Sequence, residues 1–203
     1  MHISEGVLSA PVLVSGAVLT AACTAIGLKK VDYDRIPQVA VLSAAFFVAS
    51  LVHVPIGPAS VHLLLTGLVG LFLGWGAFPA ILVGLTFQTL LFQFGGLTSL
   101  GVNTMNMALP ALISFYVFRA GVRSKKTAVS MTASFLCGFG SVFMGSLMTA
   151  LSLFFTGEAF LVIAKIVVVA HLPVMVIEGI ITAFCVKFLK QVKPEMLETV
   201  YAR

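Results

Sequence analysis

The first two residues of the chain, Met1 and His2, offer three nitrogen atoms that one metal ion can bind together. Because the second residue is large, we expect Met1 to be retained and its α-amino group to be free. That amine, the amide nitrogen of His2 and the imidazole of His2 can form fused chelate rings. Imidazole is the commonest transition-metal ligand in proteins. The sequence therefore predicts a chelate in residues 1–6, called the N-terminal segment below.

A fourth nitrogen is predicted to come from His62, where a kink at Pro58 could turn the imidazole inward. Four nitrogen atoms in a plane favour Ni(II) or Cu(II) over Zn(II), which prefers a tetrahedron. His53 is predicted to be a neighbour of the ligands or incidental. The three cysteines lie in apolar runs without a paired motif, so no metal ligation or disulfide framework is predicted for them.

The composition indicates that lipid surrounds these residues. Of the 203 residues, 60% are hydrophobic and 9% are charged, and the mean hydropathy is +1.13. A soluble domain carries about 25% charged residues. So little charge cannot cover a water-facing surface. We therefore predict an all-α polytopic membrane helix bundle that forms one domain, residues 1–203.

Seven apolar runs are predicted to be transmembrane helices, each needing roughly 20 residues. Six is the alternative, with the third run as a half-helix. The first run is expected to be retained, because nothing in it resembles the basic region or the cleavage site of a signal peptide. The runs are residues 7–28, 37–54, 60–75, 79–94, 105–118, 127–155 and 160–189.

Basic residues predict an outer N-terminus and a cytoplasmic C-terminus. Short cytoplasmic loops are enriched in Lys and Arg, and seven spans place eleven of the twelve Lys and Arg residues on one side, with Lys165 as the exception. The net charge of +5 is thereby accounted for, and no nucleic-acid partner is predicted. All four histidines then fall on or near the outer side.

The predicted outer loop, residues 94–103, is rich in glycine and could support the chelate. Irregular backbone at membrane depth is tolerated where protein buries it or where it lines a cavity. Amide side chains there could hold the N-terminal segment or orient a ligand imidazole. Hydrogen bonding between helices is the alternative for Asn106 and Gln88. The polar side chains predicted near the ligands are Thr98, Ser99, Asn103, Asn106 and Gln88.

His171 and Glu178 lie seven residues apart in the last apolar run, so both project from one helical face. An ionisable residue within a membrane is a functional candidate by default. The two residues either contact a partner subunit or form a polar pair inside the bundle. A structural or coupling role is favoured over a metal role.

The chain has no Walker A motif and no paired nucleophile and base. Energy for uphill transport would have to come from another polypeptide or from an ion gradient.

Several segments resemble the CbiM/NikM family, the substrate-capture subunits of energy-coupling factor transporters for cobalt and nickel. Residues 1–8, MHISEGVL, resemble its M-H-I-x-E-G-x-L opening, although Ser4 stands where many relatives have Pro or Met. Residues 88–106, QTLLFQFGGLTSLGVNTMN, resemble its Q-x-L-L-x-x-x-G-G-L-x-x-L-G-x-N stretch. Residues 55–67 resemble its second ligand region, and His171-Leu172-Pro173 with Glu178-Gly179 fits its last helix.

The resemblance implies a prokaryotic plasma-membrane protein whose N-terminus plugs into the bundle from outside. It implies that Met1, His2 and His62 ligate Co(II) or Ni(II), the transported substrate. It also implies a transmembrane coupling subunit, a pair of cytoplasmic ATPases and often a small accessory membrane subunit as partners. Neither the residues nor the resemblance decides between cobalt and nickel.

Three functions compete: the binding subunit of an ATP-driven importer, an intramembrane metalloenzyme and a self-sufficient secondary transporter. A closed four-nitrogen plane leaves no open position for catalysis. Secondary transporters often show internal repeats, and no convincing repeat is found here. The importer is therefore the favoured interpretation, and no enzyme activity is expected.

Overall fold

The computed structural model is a helix bundle interrupted by one short β-hairpin. It describes residues 2–56, 59–194 and 196–197, with residues 53–56, 59 and 60 described by their backbone alone. The all-α membrane prediction is confirmed except for the hairpin, which was not predicted. The elements are α1 (Ala10–Lys30), α2 (Ile36–Ala49), β1 (His53–Ile56), β2 (Ala59–His62), α3 (Thr66–Leu73), α4 (Ala77–Phe92), α5 (Leu100–Val122), α6 (Thr127–Phe154), α7 (Leu161–Ala170) and α8 (Leu172–Val192).

The predicted count of seven spans is not confirmed. Helix α2 has 14 residues, a length of about 21 Å, which is less than the roughly 30 Å of a bilayer core. The third predicted run begins in β2 and continues in α3, whose eight residues extend about 12 Å. Five segments of the described chain are long and apolar enough to cross a membrane: Ala10–Lys30, Thr66–Phe92, Leu100–Val122, Thr127–Phe154 and Glu158–Val192.

Helices α3 and α4 fold back on each other within one of these apolar segments. A Cβ at Gly70 or at Gly74 would meet Ala111 or Phe115 of α5 respectively, so α3 runs in the same direction as α5. The turn Gly74–Gly76 follows, with Gly74 at φ +54°. Helix α4 then returns to the loop that precedes α5. The short α3 is consequently enclosed by other helices, and all eight of its residues are buried.

Glycines bring α3, α6 and α8 into direct backbone contact. A Cβ at Gly67 would lie 2.6 Å from the Cα of Gly138, and a Cβ at Gly138 would lie 2.8 Å from the carbonyl carbon of Glu178. Small residues at such crossings let membrane helices approach closely. Because α6 packs along both α5 and α8, the buried face of α8 lies beside the start of α3.

Basic side chains gather at one end of the bundle. The ammonium nitrogen of Lys30, at the end of α1, lies 5.0 Å from the ring centroid of Trp75 in the α3–α4 turn. Lys190, near the end of α8, donates a 2.9 Å hydrogen bond to the carbonyl of Ser124, just after α5. Helices α1, α3, α5 and α8 therefore all end on the same side. The orientation of this side in a membrane stays a prediction.

Candidate metal centre

The N-terminal segment is inserted into the bundle at Ile3. The Ile3 side chain is fully buried, and its N–H donates to Oδ1 of Asn103 at 2.9 Å. Its carbonyl accepts from Oγ of Ser99 at 2.8 Å and from Nδ2 of Asn103 at 3.0 Å. Both polar residues belong to the set expected from the sequence near the ligands. They hold the residue that directly follows His2.

Glu5 holds the same segment from the other side of Ile3. Its carboxyl group accepts hydrogen bonds from the N–H of Thr98, at 3.3 Å, and from the hydroxyl of Thr98. The loop approaches so closely that a Cβ at Gly96 would lie 2.8 Å from the carboxyl carbon of Glu5. No role for Glu5 is predicted from the sequence, and only its place in the opening pattern of residues 1–8 pointed to it.

The close approach at Gly96 gives a first testable prediction. A methyl group at Gly96 would collide with Glu5, whereas a Cβ at Gly157 would meet no atom within 4 Å. We expect Gly96→Ala to displace the N-terminal segment and to weaken cobalt or nickel binding by about 10–100-fold, as when an outer-shell partner of a metal site is lost. Gly157→Ala is the matched control. Equal affinity of the two purified variants, measured by metal titration, would contradict the prediction.

The two imidazoles of the predicted chelate meet in the structure. His2 and His62 are 4% and 2% exposed, and their rings stack with centroids 4.4 Å apart and planes inclined by 15°. Nδ1 of His62 lies 2.9 Å from the carbonyl oxygen of Leu63. Because a carbonyl only accepts, Nδ1 carries the proton and Nε2 carries the lone pair. Metal-ligating histidines commonly use this arrangement, in which the second ring nitrogen is fixed by a hydrogen bond.

Burial keeps the imidazole of His62 uncharged. It holds the pKa of His62 well below its ordinary value of 6.5. The neutral imidazole is the form that binds metal. His62 is therefore neutral at pH 7.

Two imidazoles supply only part of a four-coordinate site. Within the described residues, no group of three His, Cys, Asp or Glu side chains is placed to hold a metal ion. The further donors predicted from the sequence are the amide of His2 and the amine of Met1. Met1, Pro58 and the side chain of His53 lie outside the described residues.

Two of the expected polar side chains bond between helices. The amide nitrogen of Gln88 donates to the hydroxyl of Ser50, which joins α4 to the end of α2. Asn106 exchanges 3.2 Å hydrogen bonds with Ser152 of α6. These contacts match the alternative role left open for both residues.

Glu178 binds the chain just after His62. Its Oε1 atom accepts hydrogen bonds from the N–H groups of Leu64 at 2.6 Å and Leu65 at 2.7 Å. Leu65 has a left-handed backbone, with φ +51°, and it precedes the first residue of α3. The fully buried carboxyl group of Glu178 therefore fixes the path that leads from His62 into α3.

His171 lies at the junction of α7 and α8 and is fully buried. Its Nδ1 donates to the carbonyl of Val167 at 2.7 Å, so the lone pair is again on Nε2. Helix α7, which ends beside it, packs against the strand that contains His62. The structure thus places His171 close to the two stacked imidazoles, and Glu178 two helical turns further along α8.

Comparison with known proteins identifies the family. Residues 2–196 match the CbiM model, described as the cobalt uptake substrate-specific transmembrane region. A Haemophilus influenzae protein provisionally described as a metal transport protein is 40% identical over 202 residues, 97% of each chain. The fused nickel transport protein NikMN of Rhodobacter capsulatus is 33% identical over 130 residues, 61% of this chain and 38% of that protein.

A solved structure shares the fold. The crystal structure of a transition metal transporter superposes with a TM-score of 0.77 at 24% identity and covers 99% of this chain and 98% of that one. With the family match over nearly the whole length, the chain belongs to the CbiM/NikM family and is a transmembrane component of a cobalt or nickel uptake system, not an enzyme.

Proposed function

We propose that this chain is the subunit that captures Co(II) or Ni(II) from outside the cell for an ATP-driven importer. The ligands are the amine of Met1, the amide and imidazole nitrogens of His2, and Nε2 of His62. The observation that supports this most strongly is the stacking of two buried imidazoles 4.4 Å apart, one of them at the second residue of the chain.

In this mechanism the N-terminal segment carries the metal ligands and closes the outer side of the bundle. Ser99 and Asn103 hold Ile3, and Thr98 holds Glu5, so two residues that closely follow His2 are fixed to the loop of residues 94–103. The metal ion enters from the outer side. The ligand nitrogen atoms replace its bound water molecules, and the loop then encloses it. Preorganised ligands reduce the entropy lost on binding.

Partner subunits supply the energy for release to the cytoplasm. The chain has no phosphate-binding motif of its own, and the basic ends of α1 and α8 lie on the side that we assign to the cytoplasm. This chain covers 38% of the fused NikMN relative, so in that protein the corresponding region is joined to further transport segments. This supports a role for the present chain as one subunit of a larger transporter. We assign the partners as a transmembrane coupling subunit, two ATPases and a small accessory membrane subunit.

The ligand set is tested by competition between metals. We expect the purified protein to bind cobalt or nickel in preference to zinc, because a plane of four nitrogen atoms opposes the tetrahedral geometry of zinc. His62→Ala should weaken binding by more than about 100-fold, since it removes a direct ligand rather than an outer-shell partner. Metal content after dialysis against equal concentrations of the three ions, determined by mass spectrometry, measures both effects.

Two outcomes would contradict this assignment. Preferential zinc binding would exclude the planar site. Unchanged affinity in His62→Ala, with the variant as stable as the native protein to heat, would remove His62 from the ligands.

A further inference from the structure

Helix α8 carries a stripe of three buried polar atoms whose hydrogen-bonding capacity is unused. They are Nε2 of His171, Oε2 of Glu178 and Oγ1 of Thr182, none of which has a hydrogen-bond partner in the described part of the chain. All three side chains are fully buried. Positions 171, 178 and 182 share one helical face, and the stripe extends over about three turns.

Such atoms are unusual, because buried polar groups in proteins nearly always find a partner. In His171 and Glu178, the second polar atom of the side chain already forms hydrogen bonds. Nδ1 of His171 donates to Val167, and Oε1 of Glu178 accepts from Leu64 and Leu65. Each side chain is therefore held in position by one polar atom, and its other polar atom has a lone pair that can bind a cation.

The stripe begins beside the capture site and runs into the bundle. His171 stands where α7 stops and α8 starts, next to the strand that contains His62. Interrupted helices at membrane depth commonly line the sites of transported ions. Glu178 follows about 10 Å further along the helix axis. Thr182 lies against α6, since a Cβ at Gly138 would approach its hydroxyl oxygen to 2.5 Å.

We propose that Nε2 of His171 and Oε2 of Glu178 are successive ligands for the divalent cation after it leaves the outer chelate, and so form an inner transfer station in the bundle. This proposal rests on the function proposed above. Imidazole and carboxylate both bind divalent cobalt and nickel, and both are buried here without a competing partner. The hydroxyl of Thr182 lies one turn beyond Glu178 on the same face of α8, farther from His62.

The proposal separates capture from transfer, so it is tested by measuring both. His171→Asn keeps an N–H near Nδ1 for the carbonyl of Val167 and removes the Nε2 lone pair. Glu178→Gln keeps an acceptor oxygen for Leu64 and Leu65 and replaces Oε2 with an amide group that repels a cation. Thr149→Val is the control, because the buried hydroxyl of Thr149 donates to the carbonyl of Gly145 within α6, away from the stripe.

Two quantities are compared for these variants of the full chain. One is the cobalt bound by purified protein after dialysis. The other is cobalt uptake by cells that also make the complete set of partner subunits. We expect all three variants to bind cobalt as the native protein does. Maximal uptake should fall about 10-fold or more in His171→Asn and Glu178→Gln, with the half-saturating cobalt concentration unchanged and with native uptake in Thr149→Val.

Each other result has a definite meaning. Native uptake by both ligand variants overturns the transfer station and leaves the capture function standing. Loss of cobalt binding in His171→Asn would also overturn it, because His171 would then belong to the capture site itself. Failure of the native protein to bind cobalt or nickel would instead overturn the function on which the proposal rests.

Discussion

One additional residue in front of Met1 is expected to abolish metal binding while the fold is retained. The extension moves the terminal amine out of the fused rings, and it leaves every side chain of the chain in place. Loss of a direct donor should weaken binding by more than about 100-fold, beyond the 10–100-fold typical of an outer-shell change. The native protein should retain one cobalt or nickel ion through purification, and the extended protein should retain none, as determined by mass spectrometry.

The same residue added after Arg203 is the matched control for this experiment, because it extends the chain equally without touching the amine. Intact-protein mass must verify the N-terminus in both proteins. Equal metal in the native and N-terminally extended proteins would exclude the terminal chelate. The stacked pair His2 and His62 would then have to bind metal through side chains alone, and His53 and His171 would be the further imidazoles to test.

Some contacts of the N-terminal segment could be anticipated because they depend on order along the chain. A chelate built from adjacent residues needs no tertiary information, so it stays a prediction from the first two positions, and the structure adds that His2 is buried against His62. The glycine-rich loop with its hydroxyl and amide side chains was expected to hold the N-terminal segment, and Ser99 and Asn103 do contact Ile3. The membrane class follows from composition alone.

Other features depend on contacts that hydropathy does not encode. The apolar runs 60–75 and 79–94 were predicted as two full spans with a half-helix as the alternative for the first, whereas the first run forms β2 and the eight-residue α3. The short β-hairpin before it has no strong signal in so apolar a sequence. The partners of Glu178 are backbone N–H groups more than 110 positions away in the chain, and no side-chain pattern reveals them.

Glu178→Ala is expected to be the most damaging single change in the interior. It leaves the buried N–H groups of Leu64 and Leu65 without their acceptor, and each unsatisfied donor costs about 1–3 kcal/mol. A loss of about 2–5 kcal/mol should lower the midpoint of thermal unfolding in detergent by about 5–15 °C for a chain of this size. Glu178→Gln keeps an acceptor oxygen for both N–H groups and should therefore lower the unfolding midpoint less than Glu178→Ala does.

The comparison of these two variants also bears on how the metal is held. If Glu178 fixes the path from His62 into α3, the alanine variant should bind cobalt or nickel more weakly even at temperatures where it is fully folded, and the glutamine variant should bind as the native protein does. Equal unfolding midpoints for the two variants would mean that the N–H groups of Leu64 and Leu65 find another acceptor. The left-handed backbone of Leu65 would then owe its conformation to the packing of α3 rather than to the buried carboxyl group.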